Sequence, residues 1–120
     1  MTVTPPPWNP ELVRTWLERR AAAARLDQAA ADRRGYEAQG DYDDAAAEEW
    51  VCRALLSGGN AGDSAAFAAQ IKLLLGQEEY RITGINDDRR FERSVRAQLR
   101  KIAKMTKAND GFDKTLRYQR

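Results

Sequence analysis

An all-α fold, a small irregular bundle of about four helices, follows from three observations on this 120-residue chain. Ala, Arg, Glu, Asp, Leu and Gln dominate, and β-branched residues are sparse, a helix-favouring composition. Apolar residues recur three and four positions apart in four stretches, separated by glycine-bearing breaks. The last stretch, residues 87–107, sets such an apolar stripe opposite a cationic face, which defines a basic amphipathic helix. The length fits one domain. The expected division is a Pro-rich arm at residues 1–8, a helical domain at 9–108 and a basic tail at 109–120.

The arm carries three prolines at residues 5–7, which favour polyproline II, followed by Trp8. Trp8 either caps the end of the core or docks on a neighbouring subunit. Asn9-Pro10-Glu11 is a helix start: a capping side chain, proline at the first helical position and an acid in the first turn. The first helix then runs through Trp16, Leu17 and the alanines 21–24 to about Arg34. Gly35 weakens the pattern and Gly40-Asp41 breaks it. A second helix, capped by Asp41 or Asp43, carries Ala46, Trp50, Val51, Ala54 and Leu55 as far as Ser57. A third, capped by Asp63 or Ser64, turns Phe67, Ala68, Ile71, Leu74 and Leu75 inward and stops near Gly76. In residues 77–85, Tyr80-Arg81-Ile82-Thr83 reads as one more helical turn or a short extended piece, ended by Gly84. The fourth helix takes Asn86 as its cap, with Asp87 and Asp88 favoured in the first turn by the helix dipole. Asn109-Asp110-Gly111 reads as a turn before the tail.

The segment YEAQGDYDDA at residues 36–45 resembles the turn between the two helices of a tetratricopeptide repeat, where Gly-Asp-Tyr precedes a small residue. Glu48 and Glu49 stand where that family carries large apolar residues. No second copy follows at its period of roughly 34 residues. The resemblance therefore implies a helical hairpin with similar turn chemistry, not a repeat array.

Catalytic chemistry has little to work with. The chain has no histidine, which removes the commonest general base and metal ligand. Cys52, the single cysteine, excludes an internal disulfide and sits among core-type residues. The glycines at 58, 59 and 62 match no nucleotide fingerprint. Asp41, Asp44 and Glu48 share a helix face and are the one candidate for holding Mg²⁺, but acids gather near helix starts for dipole reasons alone. No metal, cofactor or small-molecule substrate is expected, nor enzyme activity. No run is apolar enough for a membrane span, and the start MTVTPPPW lacks the regions of a signal peptide, so a cytoplasmic protein is expected.

Charge is the informative quantity. Residues 1–80 hold 8 Lys/Arg and 13 Asp/Glu, a net of −5; residues 81–120 hold 12 and 5, a net of +7. On the fourth helix Phe91, Val95, Leu99, Ile102 and Met105 form the apolar side. Arg89, Arg93, Arg96, Arg100, Lys104 and Lys107 fall within an arc of roughly 80° on the other. From Arg89 to Lys107 the ridge is about 27 Å long, enough to span several phosphates. It meets nucleic acid, an acidic protein surface including that of a second copy, or solvent alone. No helix-turn-helix is recognisable, because the second and third helices are joined by a longer linker than that motif allows.

In general make-up the chain is similar to small phage DNA-packaging subunits and to nucleic-acid-associated adaptor proteins. The expectation is a non-enzymatic nucleic-acid-binding protein, DNA first, using those six cations and forming homo-oligomers. The alternative is an adaptor acting by protein contact, with Trp8 and Trp16 at its interface and the charge asymmetry used for assembly.

Overall fold

Four α-helices make up the fold: α1 (Pro10–Arg34), α2 (Gln39–Ser57), α3 (Ser64–Leu75) and α4 (Asp88–Lys107). The structure, a computed structural model, describes residues 8–107 and Phe112. The expected polyproline arm at residues 1–7, the turn at 109–111 and the rest of the tail lie outside the described residues. Among the described residues there is no strand, and no helix long and apolar enough to cross a membrane.

α2 is the central element, with α1 along one side and α4 along another, while α3 packs chiefly on α4 and the α2–α3 turn. α1 starts as its sequence implies. The Asn9 side chain accepts a hydrogen bond from the Leu12 N–H at 3.2 Å, and Pro10 occupies the first turn. It ends at Gly35, whose φ of 81° and ψ of −148° lie where only glycine is unstrained.

Two expectations are corrected here. The chain breaks at Gly35 and the 3-10 turn Tyr36–Ala38, not at Gly40-Asp41, which lies inside the first turn of α2. Gly40 is there for space: a Cβ on it would stand 2.5 Å from Nη1 of Arg90, whose guanidinium lies against that turn. Nor do Asp41 and Asp43 cap α2. Ala38 holds the cap position with no side-chain hydrogen bond, because α2 continues directly out of the 3-10 turn. The hairpin remains, but its turn is not that of a tetratricopeptide repeat.

Gly59, at φ 66°, and the 3-10 turn Asn60–Gly62 lead to Asp63, whose carboxylate caps α3 by accepting from the Ala66 N–H at 3.0 Å. Beyond Gly76 the chain is irregular up to α4, yet it is anchored. Tyr80 is buried, donates its hydroxyl to the Leu74 carbonyl and meets the Trp50 ring edge-on at 5.4 Å.

The core runs along α2 through Leu17, Val51, Leu55, Ile71, Phe91, Val95, Leu99 and Ile102, all buried. It ends in an aromatic cluster. Phe112 stands 5.5 Å from Trp16, 6.1 Å from Trp8 and 6.4 Å from Phe67, ring centre to ring centre. Trp8 donates its indole N–H to the Ala61 carbonyl at 2.6 Å, so both ends of the domain close on one cluster.

Candidate nucleic-acid interface

The geometry of α4 is set by residues on α2. Asp43 is 1 % exposed, and its carboxylate accepts three hydrogen bonds from the segment entering α4. The backbone N–H and side-chain amide of Asn86 reach Oδ1 at 3.0 and 3.1 Å, and the Asp87 N–H reaches Oδ2 at 2.9 Å. The buried carboxylate is thereby satisfied by three N–H donors. Asn86 is consequently not the cap. Asp87 is, its Oδ1 accepting from the N–H groups of Arg89 and Arg90 at 3.0 and 3.2 Å.

Next along α2, Asp44 clamps the side of α4. Arg90 donates to it through Nε at 3.1 Å and Nη2 at 2.7 Å, a two-pronged pairing, and the Ser94 hydroxyl donates at 2.5 Å. Desolvation pushes the Asp44 carboxyl up, but hydrogen bonds from Arg90 and Ser94 and the charges of Arg90 and Arg93 outweigh it. Its pKa lies below the ordinary 3.8.

On the opposite flank Arg96 is tied down. It pairs with Glu92, donates through Nη2 to the Gln77 carbonyl at 3.1 Å, and lies over the Tyr80 ring, 5.1 Å from its centre. Sequence periodicity puts Arg96 on the ridge with the other cations. In three dimensions it folds back to fasten the connector to α4, so it is the one ridge member with a structural engagement.

The remaining cations face outward. Arg89, Arg93, Arg100, Lys104 and Lys107 are exposed, as is Lys101 at the edge of the same face. Six ion pairs occur among the described residues, engaging Arg20, Arg34, Arg53, Arg81, Arg90 and Arg96, and none involves these outward cations. Phe91, Val95, Leu99 and Ile102 are buried beneath them and Met105 is half-buried.

The acids read as a possible Mg²⁺ ridge are otherwise engaged. Asp41 pairs with Arg34, Asp44 with Arg90 and Glu48 with Arg20 at 2.6 Å. Among the described residues no three acids, cysteines or histidines are grouped to hold a metal ion. Cys52 is buried, and desolvation, aided by the nearby Glu48 charge, pushes its thiol up to about 12, which leaves it protonated and inert at neutral pH.

Trp16 is 1 % exposed, so it belongs to the core and offers no surface to a partner. Trp8 is half-buried against Phe67 and Phe112 and leaves only part of its ring outside. Sequence reasoning missed Asp43 as the residue that positions α4. Its partners lie more than forty positions away, and nothing local distinguishes it from its acidic neighbours. No protein-family model, curated protein or solved structure matches the chain.

Proposed function

We propose that this chain is a non-enzymatic protein that binds nucleic acid through the outward face of α4. One observation carries the reading. Arg89, Arg93, Arg100, Lys104 and Lys107 form an exposed row with no ion-pair partner among the described residues, while the arginines flanking them on α4 are both engaged. The row is about 27 Å long on a helix fixed by its own core and by Asp43 and Asp44. Its side chains reach phosphates without disturbing the fold.

Titration of a fluorescent 25-base-pair duplex between 50 and 300 mM salt tests this. Five engaged cations give a log–log slope of about −4 to −5, at about 0.9 per neutralised phosphate. Replacing Arg93, Arg100 and Lys104 with Ala is expected to bring the slope to about −2 and leave the helical circular dichroism unchanged. Parent-like binding by that variant would remove the ridge from the function. Arg96 is left intact because its loss would loosen the connector.

A protein-contact adaptor is the second reading. It draws support from three apolar or aromatic side chains left in solvent: Leu26 at 72 %, Leu73 at 73 % and Tyr36 at 85 % exposed. In that case the duplex does not bind at 50 mM salt and sedimentation shows concentration-dependent homo-oligomers.

A further inference from the structure

Resting on the reading above, we infer that the α4 ridge is a duplex reader that follows the phosphate backbone of a double strand, without stacking on bases and without selecting sequence. The exposed residues of α4 are Asp88, Arg89, Arg93, Ala97, Arg100, Lys101, Lys104 and Lys107. That face carries cations and one methyl group, with no aromatic, amide or hydroxyl among them beyond the acid at its start.

Recognition of single strands relies on aromatic faces on which unstacked bases settle. Among the described residues, the aromatics of α4 and of the connector before it are committed. Phe91 is fully buried under α4, and Tyr80 is 3 % exposed with Arg96 on one face and the Trp50 ring against it. Of the neutral polar side chains of α4, Ser94 is committed to Asp44 and Thr106 to the Ile102 carbonyl at 2.9 Å, and Gln98 is half-buried off the exposed row, beside Asp44 and Glu48.

What remains is an exposed row of positive charge along one helix face. The pairing of Arg90 with Asp44 holds one flank and that of Arg96 with Glu92 the other. A duplex presents phosphates in a fixed array that such a row meets with little ordering of either partner. A single strand would have to be ordered along the ridge with no stacking to offset the cost. The lack of even one stacked base is worth about tenfold or more in affinity.

The test is fluorescence anisotropy at 100 mM salt with 25-nucleotide probes: two duplex DNAs of unrelated sequence, one duplex RNA, and a single strand of each type. The expected result is a preference of about tenfold or more for the duplexes over the single strands of the same chemistry. The two DNA duplexes should agree within about threefold, and Arg93→Ala and Arg100→Ala should weaken both by the same factor, as phosphate contacts do. The duplex RNA arm distinguishes the two backbones that share this phosphate chemistry, and binding to either duplex over its single strand supports the inference. Single strands bound as tightly as duplexes would overturn it, as would DNA duplexes differing more than tenfold. Those outcomes leave nucleic-acid binding itself standing. Failure to bind any of the probes removes both conclusions together.

Discussion

Two adjacent carboxylates on α2 do different work. Asp43 is sunk in the protein and accepts from Asn86 and Asp87, so it fixes where α4 begins. Asp44, half-exposed, fixes how α4 is rotated through Arg90 and Ser94. Removing Asp43 strands three N–H donors, and Asp43→Ala is expected to cost about 2–4 kcal/mol, with Asp43→Asn costing less because one acceptor oxygen remains. Urea unfolding measures both; an Asp43→Ala variant as stable as the parent would show that water serves these donors equally well. Asp44 gives a pH signature. Its folded pKa is lowered, so its stabilisation is complete above the unfolded value near 3.8 and is lost as pH falls through the lower folded value. The stability gap between the parent and Asp44→Asn should therefore be flat from pH 7 to 5 and close below pH 4. A gap that stays constant down to pH 2 would mean that the Asp44 charge contributes nothing.

At the scale of elements, the helices were legible where periodicity and local capping act within one segment. The apolar stripe and cationic face of α4 needed only the α-helical period, and Asn9 and Asp63 cap α1 and α3 from neighbouring positions. The α1–α2 turn was not legible in detail, because two glycines five residues apart look alike in sequence and differ only in surroundings. Gly35 has the backbone that other residues avoid, whereas Gly40 is helical and leaves room for the Arg90 guanidinium. Gly35→Ala should cost about 1–3 kcal/mol. Gly40→Ala gains up to about 1 kcal/mol of helix propensity but displaces the Arg90 guanidinium that pairs with Asp44, a half-exposed pair worth about as much, so its stability should stay near that of the parent. Thermal melts of the two variants separate the cases, and equal losses would place the turn's constraint elsewhere. Arg96 marks the same limit: angular position on a helix wheel cannot reveal a neighbouring tyrosine contributed by a connector.

Considered whole, the molecule divides its charge between two tasks. The acids of α2 neutralise one flank of α4 and the first helix, while the outward row of α4 is left without a described partner. That division is invisible in the net charge of each half, since it depends on which acids face which arginines after folding. The two ends of the domain are joined in the aromatic cluster, where Phe112 is fully buried among Trp8, Trp16 and Phe67. Sequence alone assigned Phe112 to a tail and offered Trp8 as a cap on the core without its partners, because a cluster drawn from residues 8, 16, 67 and 112 has no local signature. The cluster makes Phe112 part of the core. Phe112→Ala should lower stability by about 3–5 kcal/mol, the usual loss for a buried aromatic ring, and ending the chain after Lys107 should lower it by at least as much. Both losses are read from urea unfolding followed by tryptophan fluorescence, since Trp8 and Trp16 line the site. At salt and temperature where the variants remain folded, their affinity for duplex DNA should match that of the parent, because the ridge lies on the opposite side of α4 from its core stripe. A truncated chain that unfolds at the parent's midpoint would show that the core closes on Trp8, Trp16 and Phe67 without the fourth ring.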